Sequence, residues 1–454
     1  MSQGWGELLR RGNMGRVAVV GGGMVLHAIN TFIVTTVLPS IVQEIGGLRY
    51  FAWSTTLYMV ASLLGGANCA SLLRRIGYRN GYRVAIGVFV LGGLICAAAP
   101  AMWVILLGRF VQGLGAGTLS ALSFTMVRLL FPQHLWTRAI TVVSMAWGIS
   151  TLSGPAVGGI FAEYHVWRAA FWSLAVLAFA MWLLVERSLP RDIGRPEGPA
   201  LPVALVNLAI LAGSALCISA ASMTSDRWLN LGGIVLAVLG MILFARRERR
   251  EAIRVLPSGS CDPRSRLAGL YLAMLCLLVG VNSEIFVAYF LQKLHAMTPL
   301  HAGYSTAAMS ASWTLGSVLF SARAKPATLM KIGPLLMAAG LILVAVAMPL
   351  PEGRSVLALP AVILGLAAMG GAIGLCWPHL VAAVLGAAPQ GERDLASASV
   401  TSVTMIGNAF GSATCGLVTN FAGIATDPAS AAFWLFGLFA LAPIAAIFAT
   451  RRLT

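Results

Sequence analysis

Long apolar runs separated by short polar stretches fill almost the whole chain. Each run is about long enough to cross the hydrocarbon core of a bilayer as a helix, which takes roughly 20 residues. Helices are the expected element because lipid offers no hydrogen-bond partner for unpaired backbone groups. The pattern predicts fourteen transmembrane spans, with boundaries at 17–41, 51–72, 84–100, 103–127, 139–162, 167–185, 201–223, 228–245, 267–291, 301–321, 327–349, 356–386, 396–423 and 430–450.

The composition agrees with this pattern. The 454-residue chain is 58% hydrophobic and 10% charged, and its mean hydropathy is +0.85. Soluble domains carry about 25% charged residues, so a water-soluble fold of this size could not cover itself with so few charges. The composition therefore predicts an all-α integral membrane protein and excludes intrinsic disorder and a large extramembrane domain.

The basic residues indicate how the predicted spans are oriented. With the N-terminus inside, 25 of the 31 lysines and arginines fall on the cytoplasmic side. Arg109 lies within a span, and the five outside are Arg49, Arg168, Arg227, Lys293 and Arg354. This bias predicts that both termini are cytoplasmic, and it accounts for the net charge of +16 without a nucleic-acid partner. The first apolar run is too long for a signal peptide and is expected to remain as the first span.

The seven cysteines indicate neither a disulfide framework nor a metal site. They form no CxxC pair, and six of them lie inside the apolar runs. The sequence also contains no catalytic motif and no nucleotide-binding lysine motif. It therefore predicts a protein that is not an enzyme and that uses no cofactor or metal.

Two halves of the chain repeat the same features. Residues 29–34 of the first span read INTFIV, and residues 281–286 of the ninth read VNSEIF. Spans 5 and 13 share a small-residue motif that lets helix backbones approach closely, Gly154-xxx-Gly158 in one and Gly407-xxx-Gly411 in the other. Repeated halves are typical of secondary transporters. The predicted organisation is a cytoplasmic N-terminus (1–16), a six-helix bundle (17–186), a linker with two additional helices (187–250), a second six-helix bundle (251–450) and a cytoplasmic tail (451–454).

Short motifs of the first half occur in the order of a known family. Residues 109–117 of span 4 read RFVQGLGAG, residues 153–159 of span 5 read SGPAVGG, and Trp167, Arg168 and Phe171 open span 6. With Trp53 and Tyr58 of span 2, they resemble the fourteen-helix drug:proton antiporter branch of the major facilitator superfamily. The resemblance implies the major facilitator fold, with two six-helix bundles and two extra central helices, and transport by alternating access. It also implies conformational roles for Gly113, Gly117, Gly154, Pro155, Gly158 and Gly159, with Gly407 and Gly411 as their counterparts in the second half.

Two positions depart from the family's pattern. The loop after span 2 resembles the superfamily's GxxxDRxGRR motif, which is represented here by Arg74, Arg75, Gly77 and Arg79. Arg74 stands where the family has an acidic residue that helps to steady one conformation. In span 1, Asn30 replaces the membrane carboxylate that relatives are expected to protonate. If the protein is proton-coupled, the proton must bind elsewhere.

Glu284 is the only one of the fifteen acidic residues that lies deep inside a predicted span. It precedes Lys293 by nine residues, which places it about 14 Å from the outer end of its span. Charged side chains at this depth are costly and usually indicate function. We therefore expect Glu284 to exchange the coupling proton or to bind a substrate cation. The alternative is a structural carboxylate that stays paired with one arginine or lysine in every state.

Arg109 is the only basic residue within a predicted span. Gln112 and Gly113 share its helix face, which is polar and small and is expected to point into the bundle. The resemblance implies a proton-relay role for Arg109, and the alternative is a packing arginine hydrogen-bonded to neighbouring carbonyls. A permanent cation at this depth also favours anionic or zwitterionic substrates.

The other candidates are intramembrane histidines, amides and aromatic residues. His27 shares a face of span 1 with Asn30 and could replace the lost carboxylate, because histidine titrates near neutral pH; the alternative is a packing role. His379 follows Pro378, which could expose backbone carbonyls in span 12. The candidates for proton coupling or substrate binding are Glu284, Arg109, His27, Asn30, Gln112, Asn282 and His379. The aromatic residues that could line a substrate cavity are Trp53, Tyr58, Trp147, Tyr289, Trp313 and Trp377.

These features favour a secondary active transporter in the cytoplasmic (inner) membrane of a bacterium. The leading hypothesis is proton-coupled export of amphipathic small molecules or drugs by a monomer in the lipid bilayer. One alternative is a carrier of a lipid or metabolite without proton coupling, which the absence of an acid at positions 30 and 74 favours. The other is a non-transporting membrane receptor or scaffold, for which the chain offers little extramembrane surface.

Overall fold

A computed structural model describes residues 7–8, 10–132, 135–190, 204–223, 227–320, 326–350 and 357–451. Every regular element in these ranges is helical, as the apolar pattern predicts. The α-helices are α1 (Arg11–Ile45), α2 (Phe51–Ala97), α3 (Met102–Leu130), α4 (Trp136–Glu163), α5 (Trp167–Ser188), α6 (Leu205–Ala221), α7 (Arg227–Arg250), α8 (Arg266–Asn282), α9 (Val287–Leu294), α10 (Pro299–Phe320), α11 (Pro326–Ala347), α12 (Ala358–Ala387), α13 (Arg393–Phe421), α14 (Pro428–Phe439) and α15 (Leu441–Arg451). Short 3-10 helices cover Leu48–Tyr50, Ser283–Phe286 and Gln390–Glu392.

The helices follow the predicted spans with three differences. Spans 2 and 3 are joined in α2, which breaks at Gly77 (φ 80°, ψ 169°), a conformation that glycine adopts without a Cβ penalty. Span 9 is divided by the 3-10 helix Ser283–Phe286, and span 14 is divided between α14 and α15. Nine helical segments of the described residues are long and apolar enough to cross a membrane, by length and composition. Fourteen spans therefore stay a prediction.

The chain divides into two compact units. Unit 1 contains Met1–Gly46 and Val60–Val203, and unit 2 contains Gly47–Met59 and Ala204–Thr454. The boundary between residues 59 and 60 lies inside α2. Helices α6 and α7, from the predicted linker 187–250, belong to unit 2.

Helix contacts in unit 1 depend on glycines. A Cβ added at Gly154 of α4 would lie 2.5 Å from Phe32 Cβ of α1, and one at Gly158 would lie 2.9 Å from the Ile33 carbonyl oxygen. A Cβ at Gly117 of α3 would lie 1.9 Å from the carbonyl oxygen of Ser62 in α2. A side chain at any of these positions would force its neighbours to shift, so α4 packs closely on α1 at the small-residue motif of α4.

In unit 2, the glycines of α13 lie close to side chains of α8. A Cβ at Gly407 would lie 2.7 Å from Leu278 Cδ1, and one at Gly411 would lie 2.7 Å from Asn282 Cβ. The repeated glycine motifs of the two halves therefore face equivalent helices, the first helix of each half.

Residues 47–59 are held in unit 2 by α6 and α13. The Thr56 and Ser412 hydroxyl oxygens are 2.7 Å apart, and both residues are fully buried. The Trp53 indole nitrogen donates to the Ser219 carbonyl oxygen at 2.8 Å. Asn420 Nδ2 donates to the carbonyl oxygen of Arg49 at 2.9 Å. The additional helix α6 is therefore bonded directly to the beginning of α2.

Candidate functional site

A buried polar cluster lies where α1 and α3 meet in unit 1. Arg109 Nη1 donates to the Gln112 side-chain oxygen at 2.7 Å and to the Asn30 side-chain oxygen at 3.1 Å. All three residues are at most 1% exposed. The structure thus brings together three of the residues that the sequence singles out, with side-chain amide oxygens as acceptors for Arg109.

His27 lies one helical turn before Asn30 in α1 and is fully buried. Its ring packs edge-on against Trp147 of α4, with a centroid distance of 5.9 Å and an interplanar angle of 71°. The Trp147 indole nitrogen in turn lies 3.1 Å from Met24 Sδ. Trp147 therefore packs at the α1–α4 contact, and this position agrees with the packing alternative for His27.

Glu284 lies in a break of the ninth predicted span. Helix α8 ends at Asn282, the 3-10 helix Ser283–Phe286 follows, and α9 begins at Val287. The Asn282 side chain donates to the Leu278 carbonyl oxygen at 2.7 Å, and the Ser283 hydroxyl donates to that of Gly280 at 2.9 Å. Such local side-chain bonds compete with the helical ladder, which explains the break without a proline.

The Glu284 side chain differs from its neighbours in exposure and in contacts. It is half-buried, whereas Ser283, Ile285 and Phe286 are buried. No hydrogen bond or ion pair reaches its carboxylate within the described part of the chain. The structural alternative requires a permanent ion pair between Glu284 and one arginine or lysine, and the described part of the chain contains no such pair.

The aromatic candidates occupy different environments. Tyr289 is 5% exposed and packs edge-on against Phe51 at 5.7 Å and against Phe290 at 5.7 Å. Tyr58 is fully buried. The four tryptophans among the candidates, Trp53, Trp147, Trp313 and Trp377, are half-buried.

His379 lies beside Pro378 inside α12. Its Nε2 atom is buried and has no hydrogen-bond partner within the described ranges. Asn282, the remaining polar candidate, also donates to the Asn408 side-chain oxygen of α13 at 3.0 Å. Asn282 thus links α8 to α13 at the Gly411 contact, while His379 keeps a free ring nitrogen.

The loop motif after the second span forms a charge cluster with α5. Arg79 pairs with the Glu186 carboxylate and donates to its backbone carbonyl oxygen at 2.8 Å. Arg83 Nε lies 2.5 Å from the same carboxylate. Arg74 is half-buried and Arg75 is exposed. Position 74 of this motif is basic, where the family has an acidic residue. The carboxylate that pairs with Arg79 comes from Glu186 of α5 instead.

Two further carboxylates hold loops in place, and sequence reasoning missed both. Glu44, at the end of α1, pairs with Arg168 and accepts from the Trp167 indole nitrogen at 2.6 Å. Glu392, before α13, accepts from the Ser258 backbone nitrogen at 2.5 Å. Burial alone would raise the pKa of Glu392, but hydrogen bonds from the Ser258 backbone nitrogen and hydroxyl and the charge of Arg254 hold that pKa below its ordinary value. The only sequence signal was the position of each acid beside a predicted span end.

Repeated helical units, close glycine contacts and buried polar clusters at mid-helix define a multi-pass membrane transporter. The sequence profile of the Major Facilitator Superfamily matches residues 20–412. The chain belongs to this superfamily, which confirms the superfamily that its motifs indicate.

Individual relatives agree with the family assignment. The chain is 35% identical over 460 residues to the "Probable multidrug-efflux transporter" of Mycobacterium tuberculosis, covering 99% of this chain and 97% of the relative. It is 24% identical to the multidrug transporter protein MdtP of Bacillus subtilis, covering 87% and 73% of the two chains. Among solved structures, a D-xylose-proton symporter matches with a TM-score of 0.69 and 18% identity, over 96% of this chain and 97% of the other. This last likeness concerns the fold.

Proposed function

We propose that this transporter is a proton-coupled exporter of amphipathic small molecules that works by alternating access. The relatives named for multidrug efflux support the substrate class. The observation that carries the coupling proposal is Glu284, a half-buried carboxylate in a helix break with no partner among the described residues. Such a group can gain and lose a proton without breaking an ion pair.

The break itself supports this role. In many transporters, the substrate or ion site is formed by discontinuous helices, whose unwound backbone groups are available to the ligand. Asn282 and Ser283 satisfy two carbonyl oxygens of α8 locally, so the chain can change direction beside Glu284 at low cost. In unit 1, Arg109 provides a permanent positive charge, and the Asn30 and Gln112 side-chain oxygens hold its guanidinium in place.

A transport assay with purified protein in lipid vesicles tests the proposal. With a vesicle interior one pH unit more acidic than the medium, we expect ethidium to accumulate inside. One-for-one exchange with protons limits the accumulation to about tenfold per pH unit. Adding nigericin, which collapses the pH gradient, should release the dye. Equal dye movement with and without the gradient would contradict proton coupling.

A carrier without proton coupling is the second candidate. The observation that favours it is the neutral Asn30 amide beside Arg109, where an acid would allow proton exchange. In the same assay, this candidate gives dye equilibration without accumulation at any pH gradient.

We also propose fourteen spans in the cytoplasmic membrane, with both termini in the cytoplasm and a monomer as the working form. The strong positive-inside bias of the loops supports this orientation. Ala252, in the exposed loop after α7, provides a test. In a variant without the seven native cysteines, Ala252→Cys should react with a membrane-impermeant maleimide only after cell lysis. The control Tyr164→Cys, 75% exposed between α4 and α5, should react on intact cells, and labelling of position 252 on intact cells would reverse the orientation.

A further inference from the structure

Two buried amide groups in unit 1 have hydrogen-bond donors that are not used. Asn30 Nδ2 and Gln112 Nε2 have no partner within the described part of the chain, and both side chains are 0% exposed. Buried polar groups are normally satisfied, and each exception calls for a physical reason.

The orientation of both amides is fixed by Arg109. A guanidinium has only donors, and its Nη1 lies within hydrogen-bond distance of both side-chain oxygens. Turning either amide around would place a nitrogen donor against the arginine donor. The two NH₂ groups therefore point away from the guanidinium and remain available as hydrogen-bond donors to a ligand.

The cluster combines a permanent positive charge with these two unused donors. The acceptors on Asn30 and Gln112 are neutral, so they satisfy hydrogen bonds without adding negative charge. An anion beside either amide would accept from a free donor and would be attracted by the arginine charge. In a low-dielectric interior such charge-assisted bonds are stronger than neutral ones.

Gly93 of α2 leaves space beside one of the free donors. A Cβ added there would lie 3.4 Å from Gln112 Nε2, an ordinary van der Waals contact. A methyl group at this position would take the place of an acceptor atom near that nitrogen without clashing with the protein.

We propose that Arg109, Asn30 and Gln112 form a binding site for a small monovalent anion, either a halide or the carboxylate of a ligand. The site is internal to unit 1. This anion site is not part of the proposed proton-coupled export. Anion binding can be measured on the purified protein whether or not a proton gradient drives transport.

The test measures binding of radiolabelled chloride to the purified full-length protein by scintillation proximity, with sodium benzoate as the carboxylate competitor. We expect saturable chloride binding. Gln112→Met, which keeps the side-chain length but removes both the free donor and the oxygen that accepts from Arg109, should weaken it by about tenfold or more, since one hydrogen bond to a charged partner is lost. Gly93→Ala should weaken it through steric exclusion while both donors remain.

Asn30→Asp is the most specific variant. It replaces the amide with an isosteric carboxylate, so the protein supplies its own anion and chloride binding should be lost. Asn68→Asp, an exposed position of α2, is the matched control and should bind like the unchanged protein. If Asn30→Asp does not fold, Gln112→Met and Gly93→Ala decide the question.

Each outcome has a defined meaning. Competition by benzoate identifies a carboxylate as an accepted ligand, and chloride binding that benzoate leaves unchanged restricts the site to halides; both support an anion site. Absence of saturable binding of both anions, or equal chloride binding in Asn30→Asp, Gln112→Met and Gly93→Ala, would overturn the proposal.

Discussion

Replacing Gly158 with leucine is expected to abolish transport while the protein still inserts into the membrane. A Cβ at position 158 would lie 2.9 Å from the Ile33 carbonyl oxygen and 3.1 Å from Thr36 Cβ. Because the nearest atom belongs to the backbone, it cannot rotate away as the end of a flexible side chain can. Helices α1 and α4 would have to separate. Overpacking of this kind costs about 1–3 kcal/mol.

The separation matters because α1 also carries Asn30 of the polar cluster. Transport of ethidium into vesicles measures the effect, and the elution profile of the purified protein shows whether it is folded. Gly87→Leu is the matched control, since a Cβ at Gly87 of α2 meets nothing within 4 Å. Gly158→Ala should fall between the two. Unimpaired transport by Gly158→Leu would show that the cycle does not depend on this helix contact.

The helical architecture could be predicted from the sequence because lipid leaves few choices. Long apolar runs must become helices, and the glycine motifs indicated that spans 5 and 13 approach other helices closely, although they did not identify those helices. The break at Ser283–Phe286 could not be predicted, since a hydropathy average does not register side chains that bond to their own helix backbone. The division of the last span into α14 and α15 was also missed, although Pro443 lies four residues after Phe439 and has no N–H to donate to that carbonyl oxygen.

The site was predictable where residues are close in sequence. Arg109 and Gln112 are three residues apart on one helix, so their contact follows from helical geometry. The contact of Glu186 with Arg79 joins residues 107 positions apart, and sequence spacing contains no information on such pairs. The contacts of Tyr289 with Phe51 and Phe290 could not be predicted either, because they join residues of different helices or depend on the local helix break.

The acidic residues show why Glu284 stands apart. Within the described ranges, Glu44, Glu186, Glu248 and Glu392 each accept hydrogen bonds from named partners near helix ends. These contacts hold the four carboxylates in place and contribute to loop geometry. Glu284 has no such contact there, so removing its charge should leave the fold intact and change the coupling.

Glu284→Gln is therefore expected to remove gradient-driven accumulation of substrate while binding persists. The amide resembles the protonated acid in shape but has no proton to exchange. In vesicles with a pH gradient of one unit, ethidium accumulation should fall from as much as about tenfold toward equal concentrations on the two sides. Exchange of labelled for unlabelled ethidium at equal pH should continue, because it requires no net proton movement.

The comparison of these two assays separates coupling from folding. A misfolded variant fails both assays, whereas an uncoupled one fails only the first. Glu163→Gln, at an exposed carboxylate that ends α4, should behave like the unchanged protein in both. His27→Gln, tested in parallel, should retain accumulation, because the buried His27 ring packs against Trp147. If Glu284→Gln accumulates ethidium normally under the gradient, Glu284 is structural; if His27→Gln alone loses accumulation, the coupling site lies on α1.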